Sequence, residues 1–225
     1  MPNYLILILS ALAGGALSFV IDVRNKTIIK SLMAFSGAFL FTLTIRHFLP
    51  EIMNSGNQYA PYVLFGFLIQ LFLDFYSKGI EHGHFHLMGD SIPLALFISL
   101  SIHAFMEGVP LQFEHHHAAH PLLMGIIIHK IPVALILAGM MRIAQFSTIR
   151  ILSALFIFAL MSPAGQLVGE HVPFFSTHYL EILAIVSGIF LHVSTTILFE
   201  SSESHKFNYI KMLFVLLGLG LAFLV

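Results

Sequence analysis

The chain has 225 residues, of which 58% are hydrophobic and only 9% charged. Soluble domains carry about 25% charged residues, so this composition excludes a soluble globular fold. Ten Lys and Arg against eleven Asp and Glu give a formal net charge of −1. That leaves no basic surplus to hold a phosphate backbone, which disfavours nucleic-acid binding. Cysteine is absent, which removes disulfide frameworks, thiolate metal sites, iron–sulfur clusters and cysteine nucleophiles together. Histidine is the unusual residue: fourteen occur in a chain with few charges.

A spanning helix needs about 20 mostly apolar residues. Eight such stretches follow in chain order: 4–22, 28–50, 60–77, 91–112, 121–141, 147–169, 179–199 and 207–225. Their continuous apolar runs exclude the alternating pattern of a membrane β-barrel. The first stretch has no side-chain cation before it, whereas Arg24, Lys26 and Lys30 come after it. A cleaved signal peptide has the opposite order, so this stretch reads as a retained helix. With the N-terminus outside, eight of the ten Lys and Arg fall in or beside inner loops: Arg24, Lys26, Lys30, Lys78, Arg142, Arg150, Lys206 and Lys211. The other two, Arg46 and Lys130, lie within predicted helices. All six tyrosines sit at predicted helix ends, where amphipathic rings favour the interface. The fold class is therefore an all-α integral membrane protein with eight transmembrane helices and both termini outside, a single domain over residues 1–225. Ser36-Gly37-Ala38-Phe39-Leu40 in the second helix echoes Ser187-Gly188-Ile189-Phe190-Leu191 in the seventh, and those helices cross in opposite directions. The echo predicts inverted three-helix repeats around central helices 4 and 5, a transporter habit.

Ionisable groups within a span are expensive, so each is a functional candidate. The fourth stretch contains His103 and Glu107, four residues apart and so on one helix face. The fifth contains His129, Lys130 and Pro132. At a rise of about 1.5 Å per residue, His103 and His129 both lie roughly 12–14 Å from the outer ends of their helices, near the bilayer midplane. The short connection predicts antiparallel neighbours whose three side chains meet. Two imidazoles and a carboxylate suit Zn²⁺, and accept Fe²⁺ or Mn²⁺, with one position left open. Pro110 and Pro132 each free a backbone carbonyl within a turn or two of these residues. Broken helices at the midplane line cavities.

His103-x-x-x-Glu107-Gly108 followed by His129-x-x-Pro132 resembles the helix 4 and helix 5 signatures of the ZIP (Zrt-, Irt-like) family of zinc/iron permeases. Eight helices, a His-rich loop after the third, and His47-x-x-Pro50-Glu51 closing the second extend the resemblance. It implies uptake of a divalent cation toward the cytoplasm, with His103, Glu107 and His129 as metal ligands. Zn²⁺ would be the transported substrate, with Fe²⁺, Mn²⁺ or Cd²⁺ as alternatives. No organic cofactor is implied, and the reading admits a homodimer. The chain departs from two-metal members at Ala104, Lys130, Val133 and Ser162-Pro163, which predicts a single ion, with the Lys130 ammonium in the second ion's place and paired with Glu107. The family's single-site branch also carries His-Lys in helix 5.

Two further histidine clusters lie in predicted loops. His82, His84 and His86 fall inside, as an acceptor for the leaving ion; His115, His116, His117 and His120 fall outside, as a capture site. The competing functions are an intramembrane zinc-dependent hydrolase, because an open metal position activates water, and haem electron transfer through His103 and His129. The first wants a second carboxylate near the midplane, and the second leaves Glu107 unexplained. Short loops suit a multi-pass protein of a bacterial inner membrane.

Overall fold

In the computed structural model, residues 3–77, 94–112, 119–199 and 209–225 are described, and among them the fold is helical with no strand. Ten α-helices follow one another: α1 Asn3–Leu17, α2 Lys26–Leu43, α3 Leu49–Ser55, α4 Ala60–Ser77, α5 Leu94–Gly108, α6 Ala119–Ile143, α7 Thr148–His171, α8 Pro173–Thr177, α9 Tyr179–Phe199 and α10 Tyr209–Ala222. Among the described residues, five helical segments are long and apolar enough to cross a membrane: Lys26–Ser55, Asn57–Tyr76, His120–Ile143, Thr148–His171 and Tyr179–Phe199. The apolar helices Asn3–Leu17, Leu96–Leu111 and Tyr209–Ala222 are shorter.

Local chemistry sets several boundaries. The side chain of Asn25 accepts from the Ile28 amide at 3.3 Å and starts α2. Pro50 cannot supply the amide that would bond the Arg46 carbonyl, and the chain widens into a π-turn over Thr44–Phe48 where α2 runs into α3. That turn directs Arg46 outward to donate to the Phe223 carbonyl at 2.9 Å, close to the end of α10. The predicted second stretch is thus longer than expected, reaching Ser55.

The helices pack in two groups. In one, α1, α5, α6 and α7 pack through the pairs α1–α6, α1–α7 and α5–α7; in the other, α2, α4, α9 and α10 pack through α2–α10, α4–α9 and α2–α9. Two cores of buried side chains follow this division in large part, one around Ala134, Leu137 and Ala159, the other around Phe39, Phe48 and Phe190. The groups meet where α2 packs on α6 and α4 on α5. The outward side of α4 is strongly apolar: Leu64, Phe65, Leu68, Phe72 and Phe75 are 49–78% exposed. A surface of this kind, on a helix whose backbone bonds are internally satisfied, suits lipid rather than water.

The sequence predicts α5 and α6 side by side. The structure instead seats α5 tightly on α7 and α6 tightly on α1, so the backbones of α5 and α6 approach only loosely. Glycine is the reason. A Cβ at Gly108 would overlap the Ser162 carbonyl oxygen, and one at Gly165 would overlap the Phe105 carbonyl oxygen. Gly14 of α1 meets the Ile131 carbonyl of α6 in the same way. The space left between α5 and α6 is filled by long polar side chains.

Candidate metal centre

Those side chains are His103 and Glu107 from α5 and His129 from α6. All three are buried, at 3%, 2% and 2% exposure, and they offer ligand atoms that lie within 4.8 Å of one another. His103 and Glu107 are one helical turn apart, and Nε2 of His103 lies 2.8 Å from Oε1 of Glu107. The His103 and His129 rings meet edge to face, with centroids 6.0 Å apart. This is the only group of its kind found among the described residues.

Each imidazole is held from behind by a helix of the other group. Nδ1 of His103 lies 2.9 Å from Oε1 of Gln70, on α4. A carbonyl oxygen only accepts, so the ring donates through Nδ1 and turns Nε2 toward Glu107. Nδ1 of His129 lies 3.4 Å from Oγ of Ser36, on α2, whose hydroxyl donates to the Met33 carbonyl at 3.3 Å. Ser36 Oγ thus stands between the Met33 carbonyl and the ring. Depth is matched as well. Ser36, Gln70 and His129 each stand ten residues past the first residue of their helices, Lys26, Ala60 and Ala119, about 15 Å along at 1.5 Å per residue.

The geometry suits a small divalent cation. Bonds of about 2.0–2.1 Å to nitrogen and oxygen place tetrahedral ligand atoms about 3.3 Å apart. The His103–Glu107 pair, at 2.8 Å, must therefore open by roughly half an ångström to admit the ion. A cation bound there would require both His103 Nε2 and the Glu107 carboxylate to be free of protons.

Lys130 departs from the expected pairing with Glu107. Its ammonium is buried at 2% exposure and donates to Ser162 Oγ of α7 at 2.5 Å, over the ring of Phe158 at 5.1 Å. Ser162 in turn donates to the Ala104 carbonyl of α5 at 2.7 Å. One residue along a helix turns a side chain by about 100°, so His129 faces α5 while Lys130 faces α7. Lys130 is still close enough to Glu107 for a favourable charge interaction.

Other candidates lie elsewhere. His192 is buried against Phe67, with ring centroids 4.9 Å apart. Tyr179, expected at the interface, is buried and donates to Glu51 at 3.2 Å. His47 and Glu51 stand outside the three-residue group. His120 is exposed at the start of α6, and His82, His84, His86, His115, His116 and His117 lie outside the described residues. A cavity of about 330 Å³ at the far end of α6 is lined by Asp22, Arg24 and Arg142 among others. Two guanidinium groups make it a poor vestibule for a cation. Gln70 is the residue that sequence reasoning missed, although it is the one amide side chain in the apolar run of α4.

Comparison with known proteins identifies the family. A family profile described as ZIP Zinc transporter matches residues 90–225, which include all three candidate ligands. The chain is similar to Protein zntD of Dictyostelium discoideum, with 30% identity over 163 residues, 64% of this chain and 24% of that protein. It therefore spans about a quarter of the length of that relative. With the profile covering more than half of its residues, the chain belongs to the ZIP zinc transporter family.

Proposed function

We propose that this protein carries a divalent metal ion across a membrane toward the cytoplasm through a site made by His103, Glu107 and His129. The observation that carries the reading is that these three side chains converge at one buried point, His103 and Glu107 from the C-terminal half of α5 and His129 from near the middle of α6. Family membership supports transport as the activity. Zinc is the first candidate, because two imidazoles and one carboxylate with an open position match its preferences, and Fe²⁺, Mn²⁺ and Cd²⁺ are the alternatives. An open position suits an ion that must also leave.

The topology we propose has eight spans, with α1, α5 and α10 completing the five longer ones, both termini outside, and the Lys- and Arg-rich loops in the cytoplasm. Inverted repeats are supported by the packing. Exchanging the first three spans with the last three, and the fourth with the fifth, maps the pair α1–α6 onto α7–α5 and the pair α2–α10 onto α9–α4; all four pairs occur. Burial of the ligands supports a carrier that opens to each side in turn rather than a continuous pore. The membrane we propose is a bacterial inner membrane.

A hydrolase would need a general base beside the metal. Lys130, the ionisable neighbour of His129, is committed to Ser162, and no second carboxylate joins the group among the described residues. Uptake of radiolabelled Zn²⁺ into proteoliposomes tests the proposal. Saturable uptake by the parent chain, abolished by His103→Ala, Glu107→Ala or His129→Ala, is the expected result. Full uptake by Glu107→Ala would remove the site assignment.

A further inference from the structure

We infer that Gln70 is a positioning residue for the metal site, whose neutral side-chain oxygen aims His103 at the ion and keeps the bound ion exchangeable. This rests on the reading of His103, Glu107 and His129 as metal ligands.

Gln70 stands in a helix with no other buried polar role of its kind. Most of α4 presents bare apolar side chains outward, with Leu68 and Leu71 49% and 47% exposed on either side of Gln70. Gln70 itself is 0% exposed. Gly66 and Gln70 are one turn apart and share a face. Gly66 lets α4 lie directly on the Ile185 carbonyl of α9, and Gly188 of α9 lies directly on the Val63 carbonyl of α4. This double contact fixes the rotation of α4. The rotation in turn puts the Gln70 oxygen 2.9 Å from Nδ1 of His103.

The partner of a ligating imidazole does two things. It fixes which nitrogen faces the ion, and it sets how much electron density the ring offers. A carboxylate behind the ring strengthens the ligand; an apolar group leaves ring orientation and tautomer undetermined. A neutral amide lies between these, orienting the ring without adding negative charge. A site built to store metal gains from the carboxylate, whereas a site that must release its ion does not. The same logic applies more weakly to Ser36 behind His129, where the separation is 3.4 Å.

The prediction is therefore two-sided. In the full-length protein in detergent, Gln70→Leu weakens equilibrium Zn²⁺ binding by about 10- to 100-fold, the usual effect of losing such a partner. Gln70→Glu, of nearly the same shape, binds Zn²⁺ at least as tightly as the parent and releases it more slowly into a chelator. In proteoliposomes the Glu variant then shows a lower maximal rate without a raised half-saturation concentration, while the Leu variant shows a raised one. The visible spectrum of bound Co²⁺ changes in both, because the ligand field of His103 changes. Gln70→Asn withdraws the oxygen by about one bond length, roughly 1.5 Å, with little disturbance to folding, and behaves like Leu. A merely structural hydrogen bond predicts no gain for Glu over the parent and no change in the Co²⁺ spectrum. Parent-like binding in the Leu and Asn variants, with binding lost in His103→Ala, overturns this inference alone. Parent-like binding in His103→Ala overturns the site and this inference together.

Discussion

Gly108→Ala should damage the proposed metal site without touching a candidate ligand. The residue sits one position past Glu107 where α5 lies on α7, and an added Cβ would overlap the carbonyl oxygen of Ser162. Backbone cannot rotate away as a flexible side chain can. The approach would be 2.0 Å, so restoring the 3.5–4.0 Å of ordinary contact needs α5 to move off α7 by about 1.5–2 Å. Such overpacking costs about 1–3 kcal/mol of stability. The movement also carries His103 and Glu107 away from His129, which is held separately by α6 against α1. A misplacement of even about 1 Å in a site of this kind costs on the order of a hundredfold, or about 2.8 kcal/mol at 1.4 kcal/mol per factor of ten. Zn²⁺ affinity and thermal melting of the purified variant measure the two effects. Gly220→Ala is the matched control, since nothing lies within 4 Å of a Cβ there, and it should leave both unchanged. Gly108→Ala with parent affinity and parent melting would refute the argument that close α5–α7 packing sets the ligand geometry.

Three further outcomes are expected. Crystals soaked in Cd²⁺ should show one strong anomalous peak between α5 and α6; two peaks about 4 Å apart, the spacing of bridged metal pairs, would show that Lys130, Ala104, Val133 and Ser162 do not limit the site to one ion. Ser162→Ala removes the acceptor of the buried Lys130 ammonium and should lower stability by about 1–3 kcal/mol, read as a drop in melting temperature; an unchanged melting curve would mean that the contact with Phe158 suffices. Replacing His82, His84 and His86 with Ser should lower the maximal uptake rate, and replacing His115, His116, His117 and His120 should raise the half-saturation concentration. Surface labelling of the first set from outside would invert the proposed topology.

The candidate ligands were legible in the sequence because charge in a span is costly: His103, Glu107 and His129 stand out in runs of Leu, Ile and Ala, and helical periodicity puts the first two on one face. Gln70 did not stand out. An uncharged amide costs far less in an apolar helix than an ion does, and only the rotation of α4 on α9 reveals where it points. Ser36 was visible as part of the repeated Ser-Gly motif, but its bond to His129 depends on α2 packing against α6. The connection between α5 and α6 suggested that they pack together, whereas Gly108 and Gly165 select α7 as the partner of α5, a contact between helices distant in sequence. The fate of Lys130 was hidden for a related reason: residue spacing gives its angle from His129, and only the position of α7 shows that Ser162 waits there.

The most direct test of the central claim removes the loop histidines from consideration. A variant with His82, His84, His86, His115, His116, His117 and His120 all changed to Ser still carries His103, Glu107 and His129. Equilibrium binding of Zn²⁺ to this protein should give one ion per chain, and X-ray absorption should show two imidazole nitrogens and a carboxylate oxygen at about 2.0–2.2 Å. Adding Glu107→Ala should abolish that binding. Retention of the ion after Glu107→Ala, or its absence from the loop variant, would contradict the account.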